Sequence, residues 1–166
     1  MTLRLILTRH AKSDWSEPGQ DDYDRPLNHR GRRDAPRLGA WLTSRGDVPD
    51  LILCSSAERT RETCDLVVAA LPGPPQVRHI VALYHAGPEI ILSEIMKAEG
   101  RVVMVIGHNP GIGLLALGLL HEPPANPRLR DFPTAATAVV DFGVDQWALV
   151  APGGGALRDF ITPDDL

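Results

Sequence analysis

An arginine and a histidine, Arg9 and His10, directly follow the apolar run at residues 3–8. Arginine presents a planar fork of donors that suits phosphate oxygens, and a neutral histidine is a nucleophile. The apolar run is typical of a buried strand. In α/β proteins, ligands bind beyond the carboxyl ends of the strands. The pair therefore indicates anion chemistry at a strand end.

Two further segments place similar side chains after apolar runs. Residues 50–56 lead into a helix that carries Arg59 in its first turns, and residues 101–111 include His108 and Asn109. If the strands are parallel, their ends share one edge, and two arginines and two histidines converge there. The turn at Asn109 opens another helix, whose free N–H groups favour an anion. The sequence thus predicts a phosphate site.

This predicted site uses neither a nucleotide-type loop nor a metal. The chain contains no G-x-x-x-x-G-K-[ST] and no G-x-G-x-x-G segment. A zinc site at His10 and His108 is disfavoured, because the neighbouring arginines repel a cation and no third ligand has suitable spacing. We therefore expect no metal and no cofactor, with cationic side chains neutralising the phosphate.

The elements that must position these residues alternate along the chain. Predicted strands cover residues 3–8, 50–56, 77–81, 101–111, 135–142 and 146–151, and predicted helices cover residues 28–45, 55–71, 87–98 and 111–120. This alternation predicts an α/β fold, a three-layer sandwich whose mostly parallel central sheet has helices on both faces. Neither an internal repeat nor a linker is visible, so a single domain over residues 1–166 is expected.

Local signals refine these elements. Pro36, inside the first predicted helix, indicates a kink or a late start. Ser55 and Glu58 have the S-x-x-E spacing of a capping box. Residues 121–133 are predicted to be loop, and the Gly- and Pro-rich residues 151–166 to be a partly mobile tail.

Composition bounds the partners. The chain has 166 residues and a net charge of −4, with 17 basic and 21 acidic residues. That balance gives no general attraction for nucleic acid or anionic membranes. No apolar run approaches the roughly 20 residues of a membrane span, and no signal peptide is recognisable. Cys54 and Cys64 lack the spacing typical of metal-binding cysteines, and we interpret them as free thiols. A cytoplasmic protein is expected.

The same segments carry a family resemblance. LTRHAKSDW resembles the RHG motif of the histidine phosphatase superfamily, with Ala11 in place of the glycine and Ser13 where threonine is common. SSAERTRET and VIGHNPG resemble that family's second arginine and second histidine motifs. DRPLNHRGRRDA and LYHAGPE are similar to segments of the short SixA-like phosphohistidine phosphatases. The match runs in order over roughly residues 3–115.

The resemblance implies the phosphoglycerate mutase-like fold and a set of roles. His10 is expected to be the nucleophile that becomes phosphorylated. Arg9, Arg59 and His108 are expected to hold the phosphoryl oxygens, and Asn109 is assigned to the same phosphate. Phosphoryl transfer depends mainly on positioning and charge neutralisation, which agrees with this cationic set.

The general acid is left open. An alkoxide leaving group needs a proton from a positioned acid. Glu89 is the nearest candidate, although a carboxylate in a first helical turn also complements the helix dipole. Asp21, Asp22 and Asp24 are weaker candidates, and His85 is another.

Other side chains could form the rim of the site. Lys12, Ser13 and Arg25 are assigned as candidates for the acid or the rim, and Arg25 could instead pair with a loop carboxylate. Trp15 is expected in a loop or at the rim. Arg61 lies two positions from Arg59 and is therefore expected to point away from the site.

Three functions remain in competition. The leading one is a metal-independent phosphatase that dephosphorylates phosphohistidine in proteins through a phosphohistidine intermediate. A phosphatase or mutase acting on small phosphate esters is an alternative. A non-catalytic module that binds phosphorylated proteins is disfavoured, because binding alone does not require a nucleophile.

Overall fold

The computed structural model describes residues 2–166, which contain six β-strands and five α-helices. The strands are β1 (Leu3–Arg9), β2 (Leu51–Ser55), β3 (Gln76–Ile80), β4 (Val102–Gly107), β5 (Thr137–Phe142) and β6 (Gly155–Ile161). The helices are α1 (His29–Arg45), α2 (Glu58–Ala69), α3 (Pro88–Ile95), α4 (Gly111–Leu119) and α5 (Pro127–Asp131).

The strands form a single sheet in the order β3-β2-β4-β1-β5-β6. The four strands from β3 to β1 are parallel, whereas β5 runs antiparallel to both β1 and β6. The mostly parallel α/β sheet predicted from the alternation is therefore confirmed. In register, Arg9 lies beside Gly107, so the ends of β1 and β4 meet at one edge.

Helices cover both faces of the sheet, because the buried strands alternate their apolar side chains between two cores. Leu5 and Leu7 face the core that includes the apolar residues of α3, α4 and α5. Ile6 faces the other core, which includes residues of α1 and α2. Strand β1 is therefore packed on both faces, and this packing sets the position of its carboxyl end.

The start of α1 is packed directly beneath the segment that follows β1. The Asn28 side chain caps α1 by accepting from the amide of Gly31 at 2.9 Å. A Cβ on Gly31 would lie 2.2 Å from the carbonyl oxygen of Lys12, so only glycine allows this close approach. The helix continues through Pro36 from its start at His29, so the late start allowed by the sequence is wrong.

The capping box predicted at Ser55 is also wrong. Ser55 is the last residue of β2, and α2 begins at Glu58 after Ala57, without a side-chain cap. The Ser55 hydroxyl lies 3.5 Å from the amide of Ala57 and 2.8 Å from a ring nitrogen of His108. Tertiary contact has therefore replaced the local cap.

The closing strand pair is formed by different residues from those predicted. Residues 146–151 contain a 3-10 turn, in which the indole Nε1 of Trp147 donates to Gly100 O at 2.7 Å. The partner of β5 is β6, inside the tail that was expected to be partly mobile. Position 155 requires glycine, because the Cβ of any other residue there would lie 2.5 Å from Val140 Cγ1. The tail is therefore an ordered edge strand.

Two smaller features complete the fold. The segment predicted as loop at residues 121–133 contains α5, which begins after the capping residue Asn126. Within residues 2–166, no helix combines the length and the hydropathy that crossing a membrane requires.

Candidate active site

A small cleft lies at the edge where β1, β2 and β4 end. Its volume is about 190 Å³. It is lined by Arg9, His10, Lys12, Ser13, Trp15, Arg25, Arg59, His85, His108, Asn109 and Thr134. The cleft therefore brings together both arginines and both histidines singled out at the strand ends.

The two ring nitrogens of His10 have different partners that fix one tautomer. Nδ1 lies 2.7 Å from the carbonyl oxygen of Ala11, which can only accept, so Nδ1 carries the proton. Nε2 lies 3.4 Å from Nε of Arg59, which can only donate, so Nε2 carries a lone pair. A neutral imidazole with a free lone pair on Nε2 is the nucleophilic form of histidine.

Burial keeps His10 and His108 neutral. It holds the pKa of His10 well below its usual value, an effect that the nearby His108 and arginines reinforce. Burial, with Arg59 as the next cause, lowers the pKa of His108 to about 3. The two rings lie close together, with their centroids 5.3 Å apart. The arginines and Lys12, rather than these two histidines, therefore supply positive charge to the cleft.

His108 is held by a hydroxyl from the neighbouring strand. Its Nε2 lies 2.8 Å from Oγ of Ser55, while its buried Nδ1 has no hydrogen-bond partner within residues 2–166. Because Ser55 Oγ can accept from Ala57 N, its own proton is free to be donated to Nε2. In that arrangement Nδ1 of His108 carries a hydrogen that is available to a ligand.

The guanidinium of Arg9 is held through Nη1 but not through Nε. Its Nη1 donates to the carbonyl of Phe132 at 3.2 Å. Its Nε is buried, and no partner for it occurs in the described part of the chain. Unpaired buried donors are rare in folded proteins. Burial and the nearby Arg59 lower the pKa of Arg9, yet an arginine remains charged at neutral pH.

Arg59 is held by hydrogen bonds to Asp22, in the loop before α1. It lies in the first turn of α2, where only 3% of its surface is exposed. Nη1 donates to the main-chain oxygen of Asp22 at 2.6 Å, and Nη2 donates to the Asp22 carboxylate at 3.0 Å. Arg61 is exposed and does not line the cleft, as its spacing from Arg59 predicts.

Asp22 is the centre of a polar cluster. Its carboxylate accepts from the hydroxyl of Tyr84 at 2.6 Å and from the guanidinium of Arg25 at 3.0 Å. It also lies 3.4 Å from Nε2 of His85. Burial opposes ionisation, but the hydrogen bonds from Tyr84, Arg25 and Arg59 outweigh it and hold the pKa of Asp22 well below its usual value. Asp22 is therefore a poor proton donor.

The rim is formed by the residues after His10. Arg25 both lines the cleft and pairs with Asp22, so it adopts both arrangements considered for it. Its Nη1 donates to Oγ of Ser13 at 2.7 Å. The ring of Trp15, which is 71% exposed, lies 3.4 Å from the Arg25 guanidinium carbon. Lys12 lines the same rim.

The side chain of Asn109 forms hydrogen bonds with neighbouring backbone groups. Its amide nitrogen donates to the carbonyls of Phe132 and Asp131, and its oxygen accepts from Gly113 N of α4. These bonds occupy both amide hydrogens of the side chain. Binding of a phosphate by Asn109, which lines the cleft, therefore stays a prediction for its main-chain N–H rather than for its side chain.

Glu89 does not lie in the cleft. It is exposed in the first turn of α3 and lines a separate depression with apolar residues of α3 and α4. Glu89, a candidate for the acid in the sequence, is not among the residues that line the cleft and so lies away from its arginines and histidines. Among the described residues, the carboxylate that contacts the cleft arginines is Asp22, whereas Asp24 is exposed.

Sequence reasoning missed two contributors to the site. Tyr84 contacts Asp22, and its ring packs edge-on against His108 at 5.5 Å between centroids. Ser55 was assigned to a helix cap rather than to His108. The only signal for Tyr84 was its place in LYHAGPE beside His85. A serine at the end of a buried strand was the corresponding signal for Ser55.

Size alone does not single out this cleft. A larger depression of about 580 Å³ lies at the opposite edge of the sheet, around Arg4 and Asp50. No histidine or cysteine lines it. In the part of the chain that the structure describes, no group of three or more His, Cys, Asp or Glu side chains is arranged as a metal site.

Comparison with known proteins places this geometry in a family. The sequence profile of the histidine phosphatase superfamily (branch 1) matches residues 5–82. An uncharacterised protein of Mycobacterium tuberculosis is 35% identical over 162 residues, which cover 93% of this chain and 99% of that protein. A chloroplastic protein of Arabidopsis thaliana is 33% identical over 97% of this chain and 78% of its own length.

Solved structures with the same fold include candidate phosphohistidine phosphatases of the SixA type. One from Nakamurella multipartitia superposes with a TM-score of 0.82 at 32% identity, over 98% of this chain and 97% of that one. One from Agrobacterium tumefaciens superposes with a TM-score of 0.80 at 32% identity, over 97% and 98% of the two chains.

Proposed function

The chain belongs to the histidine phosphatase superfamily, and we propose that it is a phosphatase whose nucleophile is Nε2 of His10. The observation that carries this proposal is the tautomer of His10. Nδ1 is committed to the Ala11 carbonyl, and the lone pair of Nε2 faces the Nε–H of Arg59 across 3.4 Å. Because burial keeps the ring neutral, the lone pair is available for attack at phosphorus.

In the first step, Nε2 of His10 attacks phosphorus. The Nε2–P bond forms while the bond between phosphorus and the leaving group breaks, and the electron pair departs with that group. Arg9, Arg59 and His108 surround the transferring group, and a preorganised donor of this kind is worth about 3 kcal/mol in the transition state. The unpartnered Nε of Arg9 and Nδ1 of His108 supply donors for its oxygens.

In the second step, water attacks the phosphorylated His10. The O–P bond forms, the P–Nε2 bond breaks, and inorganic phosphate is released. Because Nδ1 of His10 keeps its hydrogen through the bond to the Ala11 carbonyl, the ring departs as neutral imidazole rather than as an anion. The same contact that sets the nucleophile therefore also prepares a good leaving group.

The substrate we propose is phosphohistidine displayed on a protein. A phosphohistidine that is protonated on its other ring nitrogen expels neutral imidazole, whose conjugate acid has a pKa of about 6.5. Its departure requires little help from an acid, which suits a cleft whose nearby carboxylate, Asp22, stays ionised. The SixA-type names of the two similar structures support the same substrate class.

The rim also favours a substrate carried by a protein. The cleft is small, about 190 Å³, and its mouth includes the largely exposed Trp15. A side chain presented on a protein surface can enter such a cleft while the rest of the substrate stays outside, whereas a free metabolite is usually enclosed by its pocket.

The deciding experiment compares kcat/KM for a phosphohistidine-bearing protein with kcat/KM for sugar phosphates, serine phosphate and an aryl phosphate. We expect the phosphohistidine protein to be preferred and the aryl phosphate to react as an activated surrogate. A tenfold or greater preference for any sugar phosphate would refute this substrate and favour an enzyme of small phosphate esters. EDTA should leave every rate unchanged, because the cationic side chains neutralise the phosphate.

A further inference from the structure

His85 lies in the cleft with no role in the two steps above. It is one of the lining residues, and its ring centroid is 6.1 Å from that of His108. Its Nε2 lies 3.4 Å from the carboxylate of Asp22. A histidine paired with a carboxylate beside a reaction centre is the usual arrangement of an acid–base group.

The backbone holds His85 in an unfavourable conformation. Its φ is 56°, in the left-handed region that few residues other than glycine adopt, although Asn, Asp and His occur there more often than the rest. A backbone in this region persists where the surroundings enforce the position of the residue. The next residue, Ala86, supplies the carbonyl against which Gly111 of α4 packs. The turn that carries His85 is therefore clamped against α4.

The groups around His85 supply a carboxylate partner and hold its ring in place. Asp22 stays ionised, because Tyr84, Arg25 and Arg59 donate to it. The ring of Tyr84 stacks on His85 at 3.9 Å between centroids and fixes the imidazole plane. On the opposite side, His108 is neutral and adds no repulsion. With a side chain that is 62% exposed, His85 can exchange its proton with water after each turnover.

We propose that His85 is the proton donor and acceptor of the cleft, a role that rests on the proposed function of His10. When the leaving group is an alcohol or phenol, protonated His85 transfers its proton to the departing oxygen as the P–O bond breaks. Neutral His85 then takes a proton from the water that attacks phosphorylated His10. The two transfers restore His85 to its starting form, and the sum is ester plus water giving alcohol plus phosphate.

Leaving-group chemistry separates this role from a structural one. A general acid matters most where the leaving group is basic. Removing the acid should therefore lower kcat/KM slightly for dinitrophenyl phosphate, more for nitrophenyl phosphate and most for phenyl phosphate. A structural defect would slow all three substrates alike. Since kcat/KM reports the steps up to phosphorylation of His10, it isolates the first proton transfer.

The test uses His85→Asn, because asparagine tolerates the left-handed backbone at this position. We expect kcat/KM for phenyl phosphate to fall by about 10²-fold, with less than about a threefold change for dinitrophenyl phosphate and for phosphohistidine. The phosphorylated enzyme should also accumulate, because the second step has lost its base. His79→Asn, on the exposed side of β3, is the matched control and should leave the series unchanged.

Equal losses for all three aryl phosphates, or no loss for phenyl phosphate, would overturn the role of His85. This failure is distinct from failure of the proposed function, which would appear in the wild-type protein as the absence of a phosphoryl group on His10. A wild-type protein that is phosphorylated on His10, with an unaltered leaving-group series in His85→Asn, would refute the assignment of His85 alone.

Discussion

Asp22 holds Arg59 by two contacts at once, a main-chain oxygen 2.6 Å from Nη1 and a carboxylate oxygen 3.0 Å from Nη2. This grip leaves Nε of Arg59 directed at Nε2 of His10, 3.4 Å away. A loop carboxylate thus positions the guanidinium that contacts the proposed nucleophile, His10. Because its pKa is held well below the usual value, we expect Asp22 to act through Arg59 rather than as an acid.

The Asp22→Asn variant tests that positioning. An amide keeps the shape of the side chain but removes the charge that orients Arg59 and pairs with His85. Because a hydrogen bond to a charged group contributes about 1.5–3 kcal/mol, we expect kcat/KM to fall by about 10- to 100-fold. Asp24→Asn, at an exposed position in the same turn, should retain full activity. Equal effects of the two variants, measured with an aryl phosphate, would remove Asp22 from this role.

Arg59→Ala and Arg61→Ala form a second matched pair on one helix. Loss of Arg59 removes a preorganised partner of the transferring phosphoryl group, which is expected to lower kcat/KM by about 10²–10³-fold. Arg61 is exposed and outside the cleft, so its removal should change activity little. Steady-state kinetics that found equal losses would show that the cleft does not depend on the guanidinium at position 59.

The free energy of unfolding should decrease as the pH is lowered, because two histidines stay neutral in the folded protein. His10 and His108 have lowered pKa values, the latter about 3, whereas an unfolded histidine titrates near 6.5. Between these values the unfolded chain binds more protons, so acidification favours unfolding, by up to about 1.4 kcal/mol per pH unit for each histidine.

Denaturant unfolding between pH 6.5 and about 4.5 measures this effect, because that window lies above the unfolded pKa of carboxyl groups, about 3.9–4.3. The wild-type free energy of unfolding should decline across it, and His108→Asn should show a shallower decline. His79→Asn, exposed on β3, should keep the wild-type slope. A His108→Asn slope identical to the wild type would show that His108 is not buried in its neutral form.

Two glycines of α4 should respond to alanine with opposite signs. A Cβ on Gly111 would lie 1.9 Å from the carbonyl oxygen of Ala86, so Gly111→Ala must displace the turn carrying His85 and is expected to cost about 1–3 kcal/mol. Nothing lies within 4 Å of a Cβ on Gly118, so Gly118→Ala should stabilise the helix by up to about 1 kcal/mol. Thermal unfolding of both variants gives the signs, and a stabilised Gly111→Ala would contradict the close packing.

The sequence predicted the positions of the strand ends well, because buried strands and their polar termini are local patterns. Arg9 and His10 follow an apolar run whose side chains alternate between two cores, and this pattern specifies both the strand and its end. The parallel pairing of β1 with β4 then brings Arg9 beside Gly107, next to His108, as alternating strands and helices predict.

The parts that were mispredicted depend on contacts between distant residues. Nothing near Asp22 in the sequence identifies Arg59, 37 residues away, as its partner. Glu89 was favoured because it is close in sequence to LYHAGP, yet the helical turn places it in a different depression. The last strand was assigned to residues 146–151, and the Gly- and Pro-rich segment after it to a partly mobile tail, but Gly155 in that segment is required beside Val140.

The most direct measurement is the location of the phosphoryl group after the protein reacts with a radiolabelled aryl phosphate and is quenched. The wild-type protein should carry an acid-labile, base-stable label on His10, attached through Nε2, because Nδ1 is committed to the Ala11 carbonyl. His10→Asn and His10→Ala should show neither label nor turnover. Normal turnover in either variant, or a label on any other residue, would contradict the account.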